Sequence, residues 1–206
     1  FNFTFFGNNY TQFYVGSNGL ITFNAGSTDG TEDPIPSSAE PNNFIAPFWD
    51  ALVVNSFGSI QYSTIGAAPN RKLFVQFRNM NFAGAPSYLG TFLVILNELT
   101  GKIQMQYKTI VLTTNSRARG GSATIGIENI DGTAGVTYSF HNPEAVSTGK
   151  AVSFTPSGST YILNPDEIYE GVRLTSNIIL PEPGITDMMN PSNESTVGTN
   201  VTLQWS

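Results

Sequence analysis

Apolar and polar residues alternate along most of the first 163 residues, and this period of two is the strongest constraint on the fold. The clearest run is Ile103, Met105 and Tyr107, which alternate with lysine and glutamine. Successive side chains of a β-strand point to opposite faces, so this run predicts a strand with one buried and one solvated face. No segment before residue 164 has the 3.6-residue period of a sustained helix.

Turn sequences divide this alternation into short pieces. Ser17-Asn18-Gly19 predicts a tight hairpin, because Asn-Gly tolerates positive φ at both central positions. The continuous apolar run at residues 91–96 predicts a strand that is covered on both faces. About ten to twelve short strands, separated by such turns, predict an all-β fold: a two-sheet antiparallel β-sandwich with an extended C-terminal tail.

Residues 44–52 group three aromatic side chains around one proline and carry a single carboxylate, Asp50. Phe44, Phe48 and Trp49 surround Pro47, which cannot donate a ladder hydrogen bond, so we expect a bent segment rather than a regular central strand. Phe48 and Trp49 are expected to lock the two sheets together, and Asp50 to accept backbone hydrogen bonds at the bend. All five residues are assigned to the structural core.

The composition excludes several classes of function. The chain has 206 residues, 40% of them apolar and only 12% charged, with a net charge of −6. This balance argues against nucleic acid and against anionic membrane surfaces as partners. The chain has no cysteine, which excludes thiolate catalysis and Cys-ligated zinc, and no apolar run is long enough to insert into a membrane. A surface solvated by amides and hydroxyls favours a secreted or cell-surface protein.

Four N-x-S/T sequons occur, at Asn2, Asn9, Asn193 and Asn200. They are candidate glycosylation sites and give weak support for secretion, because some sequons arise by chance in a chain rich in Asn and Thr.

The C-terminal part changes character after residue 163. We predict a sandwich domain at 1–163, a connector at 164–189 that includes the stiff Pro181-Glu182-Pro183-Gly184, and a segment at 190–206. That segment is similar to the first strands of an immunoglobulin-like or fibronectin type III module, with Val201, Leu203 and Trp205 facing inward. Seventeen residues cannot close such a sandwich, so it is either an incomplete module or an exchanged terminal strand.

Several motifs together resemble the nidogen-like (NIDO) extracellular domain. They are Phe3-Thr4-Phe5-Phe6-Gly7, Phe13-Tyr14-Val15-Gly16-Ser17-Asn18-Gly19 and Ile45-Ala46-Pro47-Phe48-Trp49-Asp50, with later likeness at 74–77, 91–107 and 123–129. The resemblance covers about residues 1–163. It implies an extracellular, non-enzymatic module of adhesion or matrix proteins, often beside Ig-like repeats, without a defined ligand.

Catalytic chemistry finds little support in the sequence. His141 is the only histidine, so a Ser–His–Asp relay would depend on it, yet it lies in a turn before Asn142-Pro143 and no G-x-S-x-G motif is present. Glu98 and Glu128 could form the carboxylate pair of a glycosidase, but both are better explained as solubilising charges near turns. We therefore expect no enzymatic activity.

Two binding hypotheses stay open. Asp29, Glu32 and Asp33 cluster in the long loop and could ligate calcium, although their spacing does not match an EF-hand and a solvated acidic loop is the simpler explanation. Five tyrosines could stack against sugars or belong to the core: Tyr10, Tyr14, Tyr62, Tyr88 and Tyr107.

The sequence thus predicts a non-catalytic extracellular structural or adhesion module of a larger cell-surface or filament-forming protein. One variant of this hypothesis, which holds if residues 190–206 are an exchanged strand rather than an incomplete module, adds self-association through terminal β-strands. The expected partners of the module are other protein subunits or matrix components. The alternative is a carbohydrate-binding, lectin-like module, with glycans as partners and calcium as the one cofactor left open.

Overall fold

The computed structural model describes residues 1–84, 88–111, 116–175, 178–181, 196–197 and 201–204. This part of the chain contains eighteen β-strands and one short 3₁₀ helix, Ser116–Arg119. The strands are β1 (Phe3–Phe5), β2 (Asn8–Tyr10), β3 (Gln12–Gly16), β4 (Leu20–Thr22), β5 (Phe44–Trp49), β6 (Leu52–Val53), β7 (Ser59–Ile65), β8 (Lys72–Phe82), β9 (Tyr88–Asn97), β10 (Ile103–Ile110), β11 (Thr124–Glu128), β12 (Gly135–Phe140), β13 (Lys150–Ser157), β14 (Thr160–Asn164), β15 (Val172–Thr175), β16 (Ile178–Pro181), β17 (Thr196–Val197) and β18 (Val201–Gln204).

Two large antiparallel sheets form a sandwich, which confirms the predicted all-β class. Sheet I has six strands in the order β12-β11-β5-β4-β3-β18. Sheet II has eight, in the order β14-β13-β10-β9-β8-β7-β17, with β6 paired beside β8. Two small hairpins, β1-β2 and β15-β16, complete the described structure. Among the described residues, no helix is long and apolar enough to cross a membrane.

The main core lies between the two sheets and is dominated by aromatic side chains. Phe48 of sheet I packs 5.9 Å from Phe92 of sheet II, and Phe92 stacks on Phe77 at 4.7 Å between ring centroids. Hairpin β1-β2 adds Phe3 and Phe5, both fully buried, to the same core. Each large apolar side chain buried in this way contributes roughly 1.5–3 kcal/mol, so the interlocked rings fix how the two sheets pack.

Strand β5 lies in the centre of sheet I, between β4 and β11, which corrects the expectation that Pro47 keeps this segment out of a central strand. The pairing tolerates the proline because of a bulge: Trp49 lies opposite Thr124 and Ala46 opposite Gly126, so three steps in β5 match two in β11. A bulge leaves one residue outside the ladder, and a proline costs no hydrogen bond there.

The bulge also decides which way the aromatic residues face. Phe48 lies in the main core, whereas Trp49 belongs to a second cluster with Phe44, Ala46 and Leu20 on the outer face of sheet I. The expectation that Phe48 and Trp49 both lock the two sheets is therefore right for Phe48 and wrong for Trp49. Without the extra residue the period of two would have placed Phe48 outside and Trp49 inside.

Both outer faces of the sandwich are covered by chain. Residues 24–43, here named the cover loop, lie over sheet I and contribute Ile35 to the cluster around Trp49. Residues 165–171 cross sheet II, where Glu170 accepts a hydrogen bond from Gln104 at 3.2 Å and Glu167 accepts one from Ser153 at 2.5 Å. This start of the predicted connector is therefore attached to the domain rather than free of it.

Candidate functional site

One side of the sandwich is closed by strands from the C-terminal end of the chain. Strand β18 pairs with the edge of β3, with Val201 opposite Val15 and Leu203 opposite Phe13. Strand β17 pairs with β7 in the other sheet, placing Thr196 opposite Gln61. The predicted exchange residues Val201 and Leu203 thus lie in an added edge strand, while Trp205 lies outside the described residues.

The edges that receive these strands carry core residues. Phe13 and Val15 of β3 are fully buried, and the ring of Phe13 lies 6.3 Å from that of Tyr62 on β7, so the two edges border the same side of the sandwich. An edge strand exposes a row of unpaired N–H and C=O groups, which makes it a template for another strand. We name β3 and β7 the acceptor edges.

Asp50 forms an ion pair that the sequence did not predict. Its Oδ1 accepts a hydrogen bond from the guanidinium of Arg117 at 2.6 Å, and its Oδ2 accepts one from the hydroxyl of Ser122 at 2.5 Å. The expected backbone bond is also present, from the N–H of Ala51 at 2.7 Å. The guanidinium in turn lies 4.3 Å from the ring centroid of Phe82. The buried Asp50 therefore ties the end of β5 to the 3₁₀ helix and to the loop before β11.

The acidic residues of the cover loop make separate contacts. Asp29 accepts a bond from the N–H of Thr31 at 2.8 Å, Glu32 lies 3.1 Å from the ring of His141, and the backbone oxygen of Asp33 accepts a bond from Thr124. Across the described residues, no group of three or more His, Asp or Glu side chains could hold a metal ion. The calcium hypothesis for Asp29, Glu32 and Asp33 stays a prediction.

The two glutamates considered for catalysis lie in different surroundings. Glu98 forms a two-point ion pair with Arg71, at 2.7 and 2.9 Å, and these hydrogen bonds lower the pKa of its carboxyl. Glu128 is only 1% exposed, so its assignment as a solubilising turn charge is wrong. The alternation of apolar and polar residues in β11 suggests that its outward-facing side chains are solvated. In the structure the cover loop lies over these positions.

The tyrosines do not share one exposed platform. Tyr107 is fully buried and donates its hydroxyl to the backbone oxygen of Pro47 at 2.7 Å, while Tyr10 packs 4.9 Å from the ring of Phe23. Tyr88, by contrast, is 37% exposed. Core packing therefore accounts for the first two of these residues.

The candidate glycosylation sites divide into two pairs. Asn2 and Asn9 are exposed near hairpin β1-β2, so both are accessible to modification. Asn193 and Asn200 lie outside the described residues.

A polar cleft opens between the two ends of the cover loop. It has a volume of about 300 Å³ and is lined by Asn24, Ala25, Gly26, Ser27, Thr28, Asp29, Glu40, Pro41 and Asn42. Its side chains offer carboxylate, amide and hydroxyl groups, the types that bind sugar hydroxyls or hard cations.

Comparison with known proteins gives one match. Residues 1–165 match the family described as NIDO related, which covers both large sheets except for the two terminal strands. Neither the search of curated proteins nor that of solved structures gives a match.

Proposed function

The chain belongs to the NIDO-related family, and on this premise we propose that it is a non-catalytic extracellular module of a larger protein, structural or adhesive in role, that assembles through its terminal strands. The family suggests an extracellular module. The mode of assembly is our inference from the acceptor edges.

The observation that carries the proposal is the source of the two closing strands. The family match ends at residue 165, yet β3 and β7 are paired with residues 201–204 and 196–197. Edge strands that hold core residues gain main-chain hydrogen bonds from any strand of matching register, including one from a second copy. If each copy donates its segment to the next, the contact is head to tail and builds a filament.

The contacts of His141 and of several acids support a non-catalytic role, as does the position of Glu128 beneath the cover loop, where it accepts a bond from the N–H of Ser37. His141 contacts Glu32, Asp50 is held by Arg117 and Ser122, and Glu98 is held by Arg71. Each of these acids is already engaged by its own structural partner, and a general acid–base site needs such groups arranged around one reacting atom.

Strand donation is tested by disulfide trapping, for which a chain without cysteine is suited. Tyr14 and Thr202 lie opposite each other in register, and opposite residues of an antiparallel pair are about 4.5–5.5 Å apart, within disulfide range. We expect that a Tyr14→Cys chain mixed with a Thr202→Cys chain forms a mixed disulfide dimer on a non-reducing gel.

The matched control uses a Thr160→Cys chain in place of the Tyr14→Cys chain. Thr160 is exposed on β14, which lies at the opposite end of sheet II from β17. This mixture should give no dimer above background. A double variant that carries Tyr14→Cys and Thr202→Cys in one chain, and that yields only an internal disulfide and a monomer at every concentration, would contradict donation between chains.

The carbohydrate-binding alternative draws its support from the cleft of the cover loop, which is lined by Asp29, Glu40 and Asn42 among others. Binding on a glycan array that is lost with EDTA and restored by calcium would favour it. An Asp29→Asn, Glu40→Gln double variant should then lose binding, and retention of binding would exclude this cleft.

A further inference from the structure

The cover loop is attached to sheet I by hydrogen bonds that mostly run in one direction. Side chains of the sheet and its hairpin donate to backbone oxygens of the loop: Asn18 to Thr28, Trp49 to Asp29 at 2.9 Å, Thr124 to Asp33 at 2.8 Å and Thr137 to Ile35 at 2.6 Å. These donors are neutral and do not change with pH near neutrality.

Glu128 is the exception to this pattern. Its Oε2 accepts a hydrogen bond from the backbone N–H of Ser37 at 2.7 Å, so here the sheet accepts and the loop donates. Its Oε1 is buried and, within the described part of the chain, has no hydrogen-bond partner. A buried carboxylate oxygen without a partner is costly when the group is ionised and much less so when it is neutral.

The charged groups that face Glu128 add to this cost. They are Asp33 and Glu40, both acidic and both in the cover loop. Burial, with smaller contributions from these two carboxylates, raises the pKa of Glu128 from 4.5 to about 7, against the opposing effect of the Ser37 N–H. An ionised Glu128 therefore repels the loop that covers it.

We propose that Glu128 is a proton-dependent latch: its neutral form holds the cover loop over the apolar face around Trp49, and its ionised form loosens the loop. This inference concerns the loop alone and does not depend on strand exchange. The cover loop also contacts the residue after β12, where Glu32 lies 3.1 Å from the ring of His141.

The sign follows from the raised pKa. The closed state binds the proton more tightly than an open state with an ordinary pKa of 4.5, so the latch is fully effective below that value and is lost as the pH rises through about 7. The difference between the two values corresponds to at most roughly a 300-fold increase in the open-to-closed ratio over the whole transition.

Trp49 reports on the state of the loop. It is 1% exposed, and its indole N–H bonds to the loop. The chain has two tryptophans, so a Trp205→Phe background leaves Trp49 as the single fluorophore. We expect acrylamide quenching of Trp49, and hydrogen exchange of residues 24–43 corrected for intrinsic rates, to increase at least tenfold between pH 5.5 and 8.5.

Three variants isolate the role of Glu128. Glu128→Gln should remove the transition and keep quenching low throughout. Glu40→Gln retains the latch but removes one facing charge, so its transition should remain with a lower midpoint. His141→Asn should also retain the transition, which separates Glu128 from the imidazole.

Two results would overturn the proposal. One is hydrogen exchange of residues 24–43 in the wild-type chain that does not change between pH 5.5 and 8.5, a result that needs no variant to fold. The other is an unchanged transition in folded Glu128→Gln. If that variant does not fold, two results argue against Glu128 in the same way: an unshifted midpoint in Glu40→Gln, or loss of the transition in His141→Asn.

Discussion

Replacement of Asp50 by alanine is expected to lower the free energy of unfolding by about 3 kcal/mol. Asp50 is 1% exposed and accepts hydrogen bonds from Arg117, Ser122 and the N–H of Ala51. Its loss removes the acceptor of the Ser122 hydroxyl and the counter-ion of the partly buried Arg117 guanidinium. Because the Arg117 side chain keeps 29% exposure, we place the loss at the low end for a buried pair. Urea unfolding followed by circular dichroism measures it.

The matched control for this prediction is the surface pair Arg119–Glu144. Its atoms are 2.8 Å apart, much like those of the Asp50 pair, but the Glu144 side chain is 73% exposed. Exposed pairs contribute little, so Glu144→Ala should leave the urea midpoint unchanged. An Arg117→Met variant, which keeps the packing on Phe82, should be destabilised at least as much as Asp50→Ala, since it leaves the carboxylate unpaired. Equal midpoints for Asp50→Ala and Glu144→Ala would show that the network adds no stability.

This ion pair marks the limit of what the local sequence predicts. The period of two along β10 predicts a strand because each side chain's direction is set by its own backbone. The pairing of Asp50 with Arg117 depends on where two distant segments meet, and Arg117 lies in a short 3₁₀ helix whose sequence shows no periodic pattern. The sequence places Asp50 at the end of the apolar segment, but it does not identify Arg117 as the partner of Asp50.

The outer face of sheet I did carry a signal. Residues 44–49 are apolar throughout and all six are buried in β5, and such a run indicates a strand covered on both faces, as it does for residues 91–96. Applied to residues 44–49, the same reasoning predicts a segment that covers the outer face of sheet I. Such a segment would also bury Glu128. The side on which Trp49 lies could not be predicted, because a single bulge reverses the alternation and bulges depend on the partner strand.

The sandwich class could be predicted because it needs only strand number and turn spacing. The pairing of β3 and β7 with the C-terminal strands could not be predicted, because residues 196–204 are similar in pattern to the start of another module. Any strand of suitable register can satisfy an open edge, so the sequence leaves the partner of each edge undetermined.

A second large effect is expected from Gly19→Ala, which should lower the free energy of unfolding by about 4 kcal/mol. Gly19 has φ +79°, and a Cβ on it would collide with the backbone oxygen of Phe48. The N–H of Asp50 also bonds to the backbone oxygen of Asn18 at 3.2 Å, so the hairpin lies directly against the end of β5. A side chain here would push apart two segments that position Phe48 and Asp50. Guanidinium unfolding followed by circular dichroism gives the difference.

Gly7→Ala separates the two contributions to this effect. Gly7 has φ +81°, almost the same as Gly19, but a Cβ on it would meet nothing within 4 Å. It therefore carries only the conformational cost, about 1 kcal/mol. The excess in Gly19→Ala over Gly7→Ala measures the close approach of the hairpin to β5. Equal losses of unfolding free energy in the two variants would mean that β5 shifts without cost. The Asn18-Gly19 turn and the Phe48–Asp50 segment would then be independent features of the sequence rather than two sides of one contact.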